Sequence, residues 1–310
     1  SHMNRFIRLR LLAMLLCLPF LLIFISGCGS SSQKKDEPPV YSPLQVLVPE
    51  ATGKETLGSS PMILDVSNIS QGYFIAQSDS SDLTCSLQII SPSGVLYSYF
   101  IAPGESATVT FTEGSGDYTI TGYQQVQGDQ YAALYSETVT VQLENDFLPF
   151  LYPNQYVNFT PDSKASQLAL SLIDEDTVDV DALQQIYDYV VSNLTYDYEK
   201  ADTVTTGYLP DVDETLKTGT GICFDYAALT TAMLRSCDIP CKLQIGYAGD
   251  IKHAWIDVYI RSKGWVNQAV SFKGDTWTLM DPTFDSNSDD KEAIQDYIGD
   301  ESNYTVQFTR

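Results

Sequence analysis

Between Met62 and Glu144 apolar and polar residues alternate in short runs, and after Asn145 the period lengthens to that of a helix. This change of period limits the architecture more than any other feature. MILDVSN, GYFIAQ, TCSLQIIS, GVLYSYFIA, ATVTFTEG, GDYTITGYQ and ETVTVQLE are rich in Thr, Tyr, Val and Ile and are divided by Ser, Gly, Pro and Asp. Alternation puts one row of side chains on each face of a strand, so about seven such segments predict an all-β sandwich of immunoglobulin-like type over residues 46–145. No cluster of titratable or metal-binding residues falls there, and the expected role is that of a spacer or binding module. Proline-punctuated FLPFLYPNQYVNFTPDS then predicts a packed connector rather than a free linker.

Helical patterns follow. In DVDALQQIYDYVVSNL, Leu183, Ile186, Val190 and Leu194 share one face behind acidic first-turn residues, which marks a core stripe. Beyond Gly219 and Gly221, residues Ile222, Tyr226, Leu229 and Met233 predict a second helix running to about Ser236, with one buried stripe. The change of pattern puts a second domain over residues 146–310, and 310 residues with 44% hydrophobic character suffice for two cores.

The first residues stand apart from this fold. Ser1-His2 ahead of Met3 reads as a cloning remnant, so His2 carries no function. Arg5, Arg8 and Arg10 precede an apolar run from Leu11 to Ile25 that ends in Ile25-Ser26-Gly27-Cys28, and the segment resembles a bacterial lipoprotein signal. The run is short for a membrane-spanning helix. The resemblance implies cleavage after residue 27, lipid on Cys28, and an extracytoplasmic protein with a polar tether over residues 29–45; the alternative is an uncleaved anchor. A net charge of −23 disfavours nucleic acid and leaves lipid as the expected membrane contact.

With Cys17 and Cys28 assigned to the leader, Cys85, Cys223, Cys237 and Cys241 remain. Cys237 and Cys241 flank a turn at Pro240, where a bridge is conceivable but two buried thiols are the expectation. Cys223 sits in the first turn of its predicted helix, where unsatisfied N–H groups lower a thiol pKa from about 8.5 toward neutrality. A thiolate formed near neutrality is the expectation, against the alternative of a small buried hydrophobe. His253, in the strand-like HAWIDVYI, is the sole histidine left to pair with it. Of two aspartates able to orient the imidazole, Asp257 lies about 13 Å along the same strand and cannot reach. Asp281 ends a strand-like segment that a neighbouring position in the sheet could bring to the ring.

Gly221-Ile222-Cys223-Phe224-Asp225-Tyr226-Ala227, LRSCDIPCKLQIGY, His253-Ala254-Trp255, Gly264-Trp265 and Trp277-Thr278-Leu279-Met280-Asp281-Pro282-Thr283 occur in that order, and together they resemble the transglutaminase-like superfamily over Asp211–Phe284. The resemblance implies a papain-like α+β fold with Cys223 as nucleophile, His253 as general base and acid, and Asp281 as the orienter. Asp238 departs from the pattern, where the family usually has glycine, and Cys237 beside it is unusual. The Cys223 N–H is the expected oxyanion donor, with Tyr196 as a candidate side chain. Family members act on amide carbonyls through a thioester, resolved by an amine or by water, and these residues do not distinguish the two. A protein or peptide substrate, wall-associated peptides among them, is the implied partner, with no cofactor and no metal. DSNSDDKEAIQD, Asp285–Asp296, lacks the glycine and glutamate of a calcium loop and reads as a solvated loop. A non-catalytic surface protein that uses both domains for binding is the alternative.

The leader yields the first prediction. Cys28→Ala should leave the protein unlipidated and shift it from the detergent to the aqueous phase on partitioning. Unchanged partitioning would mean an uncleaved apolar anchor.

Overall fold

The alternating segments fold into strands because each has one apolar row to bury and one polar row to leave outside. The computed structural model describes residues 34–273, 276–279 and 304–310; Cys28, Asp281 and the acidic stretch Asp285–Asp296 lie outside these residues. Strands β1 (Thr56–Ser59), β2 (Met62–Asp65), β3 (Tyr73–Ser78) and β6 (Ser106–Thr110) form one sheet in the order β1-β2-β3-β6. The second sheet, in the order β5-β4-β7-β8, comprises β4 (Cys85–Ile90), β5 (Leu96–Ile101), β7 (Gly116–Gln127) and β8 (Gln130–Val141). All pairings are antiparallel, and Met62, Leu64, Phe74, Leu87, Ile120 and Val139 meet in the core between the sheets.

One strand more is present than the alternation predicts. β1, TLGS, has no fully buried residue and so no apolar row to betray it. Its Gly58 has φ +78°, and an added Cβ would lie 2.5 Å from the ring of Tyr135.

The connector is packed, as its prolines and aromatics predict. Leu148, Leu151 and Tyr152 join Tyr73 and Ile75 of β3 in a small core, against which Tyr259 and Trp265 of the following domain pack. Asn154 holds the bend, accepting from the N–H groups of Tyr156 and Val157 while donating to the Thr110 hydroxyl.

Helices α1 (Lys164–Leu172), α2 (Asp179–Asn193), α3 (Tyr198–Thr203), α4 (Val212–Thr218) and α5 (Cys223–Ser236) come next, with two-residue strands β9 (Thr195–Tyr196) and β10 (Thr220–Gly221) interleaved. They precede a five-stranded antiparallel sheet in the order β14-β13-β12-β11-β15. Its strands are β11 (Cys241–Ala248), β12 (Ile251–Ile260), β13 (Gly264–Lys273), β14 (Thr276–Leu279) and β15 (Tyr304–Thr309). α2 buries the predicted Leu183, Ile186 and Val190. α5 departs from its single predicted stripe: every residue from Asp225 to Ser236 is buried. Ala227, Ala228, Thr231 and Ala232 are small enough for elements to close on all sides, and a helix apolar all round is a central one.

Residues Gln33–Arg310 form one compact unit. From residue 34 onward the stretch expected to be a free tether is bonded down. Asn145 donates to the main-chain oxygens of Lys34 and Glu37, and Arg261 donates to those of Pro38 and Pro39. Polar composition suggested solvation, but these carbonyls have protein donors instead. Cys237 and Cys241 are free, buried thiols, both pushed up to about 12 by burial. Asp238 has φ +59°, a left-handed turn position that aspartate tolerates and that explains why glycine is usual there. Among the described residues no helix is long and apolar enough to cross a membrane.

Arg235, in the last turn of α5, is fully buried with main-chain oxygens as partners. Its Nε and Nη2 donate to Cys241 O at 3.1 and 2.7 Å, Nη1 to Tyr152 O at 2.9 Å, and Nη2 also to Arg310 O at 2.9 Å. Burial lowers its pKa to about 10, so the cation persists at neutral pH. Arg235→Met would remove the guanidinium donors to the oxygens of Cys241 and Tyr152, while Arg310 O keeps the Leu243 N–H, and chemical denaturation should show a loss of about 3 kcal/mol. Arg235→Lys should recover less than half of it, because one ammonium cannot span the fork.

Candidate active site

The start of α5 is held by a buried carboxylate. Asp225, 0% exposed, accepts from the Ile222 N–H at 2.9 Å through Oδ2, which also meets Lys200 Nζ at 2.8 Å. Its Oδ1 accepts from the Tyr208 hydroxyl, and Lys200 Nζ donates to that hydroxyl at 2.5 Å. A buried charge is tolerated when paired and bonded in this way. Burial, then the bond to Asp225, pushes the Tyr208 phenol up to about 12, so it remains a donor at neutral pH. Lys200 is raised because its bonds to Asp225 and Tyr208 outweigh burial, which acts in the opposite direction. The segment from α3 to α4 is thereby tied to the first turn of α5. Gly221 is required here, since an added Cβ would lie 2.7 Å from that of Asp225. Parallel pairing of β9 with β10 sets Tyr196 opposite Gly221, two residues from Cys223.

Cys223 opens α5 and is half-buried. The Ala254 N–H is directed at its sulfur from β12, as is the N–H of Phe224. His253, the residue before Ala254, is also half-buried and sits opposite Gly246 of β11. Gly246 has no room for a side chain, because a Cβ there would fall 1.9 Å from Thr305 O on β15 and 2.9 Å from the Trp255 ring. Cys223 and His253 line one cavity of about 480 Å³, together with Tyr196, Tyr208 and Phe224.

The electrostatics differ from the expectation for a helix start. Burial pushes the Cys223 thiol up, against the N–H groups of Ala254 and Phe224, and burial pulls the His253 imidazole down. Both shifts favour a neutral thiol beside a neutral imidazole over a preformed ion pair. A helix N-terminus stabilises a thiolate by a fraction of its dipole charge, whereas removal from water penalises the whole charge.

Asp257 is not available to orient His253. Its Oδ2 accepts from Gln244 Nε2 and its Oδ1 from the Gln268 N–H, each at 2.8 Å, so it bridges β11 and β13 across a bulge in β12. For Asp281 the nearest preceding described strand is β14, which ends at Leu279 and pairs with β13. β13 stands between β14 and β12, so β14 is not the immediate neighbour that the sequence argument assumed. Asp281 itself lies outside the described residues.

Lys200, Tyr208 and Asp225 escaped the sequence reading as a group. Asp225 lay inside a quoted motif, but Lys200 and Tyr208 fall in an aperiodic stretch where nothing links them to it. Among the described residues no three His, Cys, Asp or Glu side chains converge as metal ligands.

The pH response of the thiol follows from these directions. In native protein, Cys223 alkylation by iodoacetamide should be slow at pH 6–7 and climb only above the ordinary thiol pKa of about 8.5. Fast labelling at pH 6, mapped to Cys223, would show a thiolate–imidazolium pair instead.

No curated protein matches the chain. Among solved structures it is similar to a candidate cysteine protease from Cytophaga hutchinsonii, at 17% identity and TM-score 0.35, over 83% of this chain and 84% of the other. A candidate protease from Parabacteroides distasonis matches at 14% identity and TM-score 0.29, over 60% of this chain and 38% of its own. The transglutaminase of red sea bream matches at 15% and 0.23, over 70% and 49%. These scores carry no argument by themselves. Residues 166–282, which include both Cys223 and His253, match the family model of the transglutaminase-like superfamily, and this segment is a transglutaminase-like domain.

Proposed function

We propose that the chain is a cysteine-dependent enzyme that attacks an amide or peptide carbonyl through Cys223, with transfer or hydrolysis completing the turnover. The carrying observation is the meeting of Cys223 and His253 on one cavity wall, with the Ala254 N–H aimed at the sulfur. His253 takes the thiol proton as the sulfur bonds to the carbonyl carbon, which suits a pair that is neutral at rest. Negative charge then forms on the carbonyl oxygen, for which the Cys223 N–H and Tyr196 are the candidate donors. Collapse of this intermediate expels the amine, which receives the proton from His253, and leaves a thioester. Water or a second amine, deprotonated by His253, releases the acyl group and restores the thiol. Asp281 is the proposed orienter of the imidazole, on the family pattern.

The strand order β1-β2-β3-β6 against β5-β4-β7-β8 supports reading the first domain as immunoglobulin-like. Lipid on Cys28 would hold the enzyme at an extracytoplasmic membrane face; the apolar run before Ile25-Ser26-Gly27-Cys28 supports this reading.

Intact mass after incubation with wall-derived peptides and casein, with and without an added primary amine, tests the chemistry. A covalent acyl adduct on Cys223 is the expected result. Cys223→Ala and His253→Ala should each lower kcat/KM by about a thousandfold or more, and Asp281→Asn should leave residual turnover. Asp257→Asn should lower stability and spare turnover by the folded protein. Absence of any adduct and of any turnover would leave the chain a binding protein, whereas full turnover in Cys223→Ala would overturn Cys223 as the nucleophile.

A further inference from the structure

The cavity shared by Cys223 and His253 is walled in part from outside the transglutaminase-like domain. Phe100 of β5 lines it, as do Gln155 and Tyr156 of the connector. Phe100 is 50% exposed. Its backbone is fixed, since Phe100 O accepts from Gln155 Nε2 at 2.7 Å and Ser98 O accepts from the Tyr156 hydroxyl at 3.0 Å. The Tyr156 ring lies parallel within 25° to that of Phe224, the neighbour of Cys223, with centroids 6.3 Å apart. The wall is therefore continuous from the sandwich to the nucleophile.

The charge of this cavity runs against that of the chain. Among the described residues that line it there is no Asp or Glu, while Lys252 and Arg310 contribute two cations; the whole sequence carries −23. Arg310 is 3% exposed, with its guanidinium 3.8 Å from the Tyr156 centroid and Nη1 donating to Tyr99 Oη at 2.5 Å. Its Nε has no hydrogen-bond partner among the described residues. A cation enclosed by rings is screened less than one in water, so it repels a second cation more strongly.

We propose that Phe100 and Tyr156 form the subsite for the side chain next to the attacked carbonyl, and that the substrates are peptides with a bulky apolar residue there, cationic residues being rejected. The inference rests on Cys223 as the nucleophile. The sandwich is then a specificity element, because it supplies a ring that touches the substrate. Apolar pockets discriminate by one to two orders of magnitude, and that is the scale required of this wall.

Four N-acetyl-dipeptidyl chloromethyl ketones, ending in Phe, Leu, Glu or Lys, test it on the full chain, with the rate of Cys223 alkylation read by intact mass and peptide mapping. The Phe and Leu ketones should react about 30-fold faster than the Lys ketone. Phe100→Ala should slow the Phe ketone about fivefold while leaving the iodoacetamide rate unchanged, so that a folding defect is excluded. Lys252→Glu, at an exposed position, should narrow the Phe-to-Lys ratio about threefold. Equal rates for the four ketones, a preference for Lys, or indifference to Phe100→Ala would overturn the subsite. Failure of iodoacetamide and every ketone to label Cys223 would instead overturn the nucleophile, and the subsite with it.

Discussion

A guanidinium that faces only main-chain oxygens joins the parts of this protein. Arg235 ends α5, and its donors reach the start of β11, the connector at Tyr152 and the last strand at Arg310. Arg310 O also accepts from the Leu243 N–H at 2.9 Å, so loss of the guanidinium would fall on the oxygens of Cys241 and Tyr152, at a cost of about 1–3 kcal/mol for each buried acceptor left without a donor. The site depends on the same joint. α5 carries Cys223 at its other end, β11 pairs with the strand that carries His253, and the connector delivers Tyr156 to the cavity. Arg310 repeats the logic in reverse, sending its side chain from the position after β15 into the rings of Tyr97, Tyr99, Tyr156 and Phe308.

The catalytic end of α5 is governed by a different compromise. Asp225 is fully buried where it holds the helix start, and the fold encloses it with the Lys200 ammonium and the Tyr208 hydroxyl. Burial also desolvates Cys223 and His253 nearby. A site that excludes water strengthens hydrogen bonds to the sulfur and to a forming oxyanion, but it raises the free energy of a resting thiolate. Proton transfer during attack is the chemistry that such a cavity favours.

Local order was legible in the sequence wherever a single element determines it. The α2 stripe at Leu183, Ile186 and Val190, the strand at His253 and the helix start at Cys223 each follow from periodicity or punctuation within about a dozen residues. β1 was missed because TLGS buries no apolar row, and the segment from residue 34 was misread because hydrogen bonds to main-chain oxygens leave no trace in composition. The position of β14 failed for a topological reason. A strand two segments away in sequence is not adjacent in the sheet when the intervening strand pairs on both sides.

The sequence by itself determined which groups could do chemistry, because Cys, His and Asp are few and their ordered motifs are specific. It also determined that alternating strands precede helices, because hydrophobic period is a property of contiguous residues. Only the tertiary structure decided that Asp257 is consumed by Gln244 and Gln268, that burial sets the direction of the Cys223 and His253 titrations, and that Phe100 of the sandwich reaches the cavity of the other domain. Desolvation and cavity walls depend on how residues a hundred or more positions apart pack, and no local pattern encodes that.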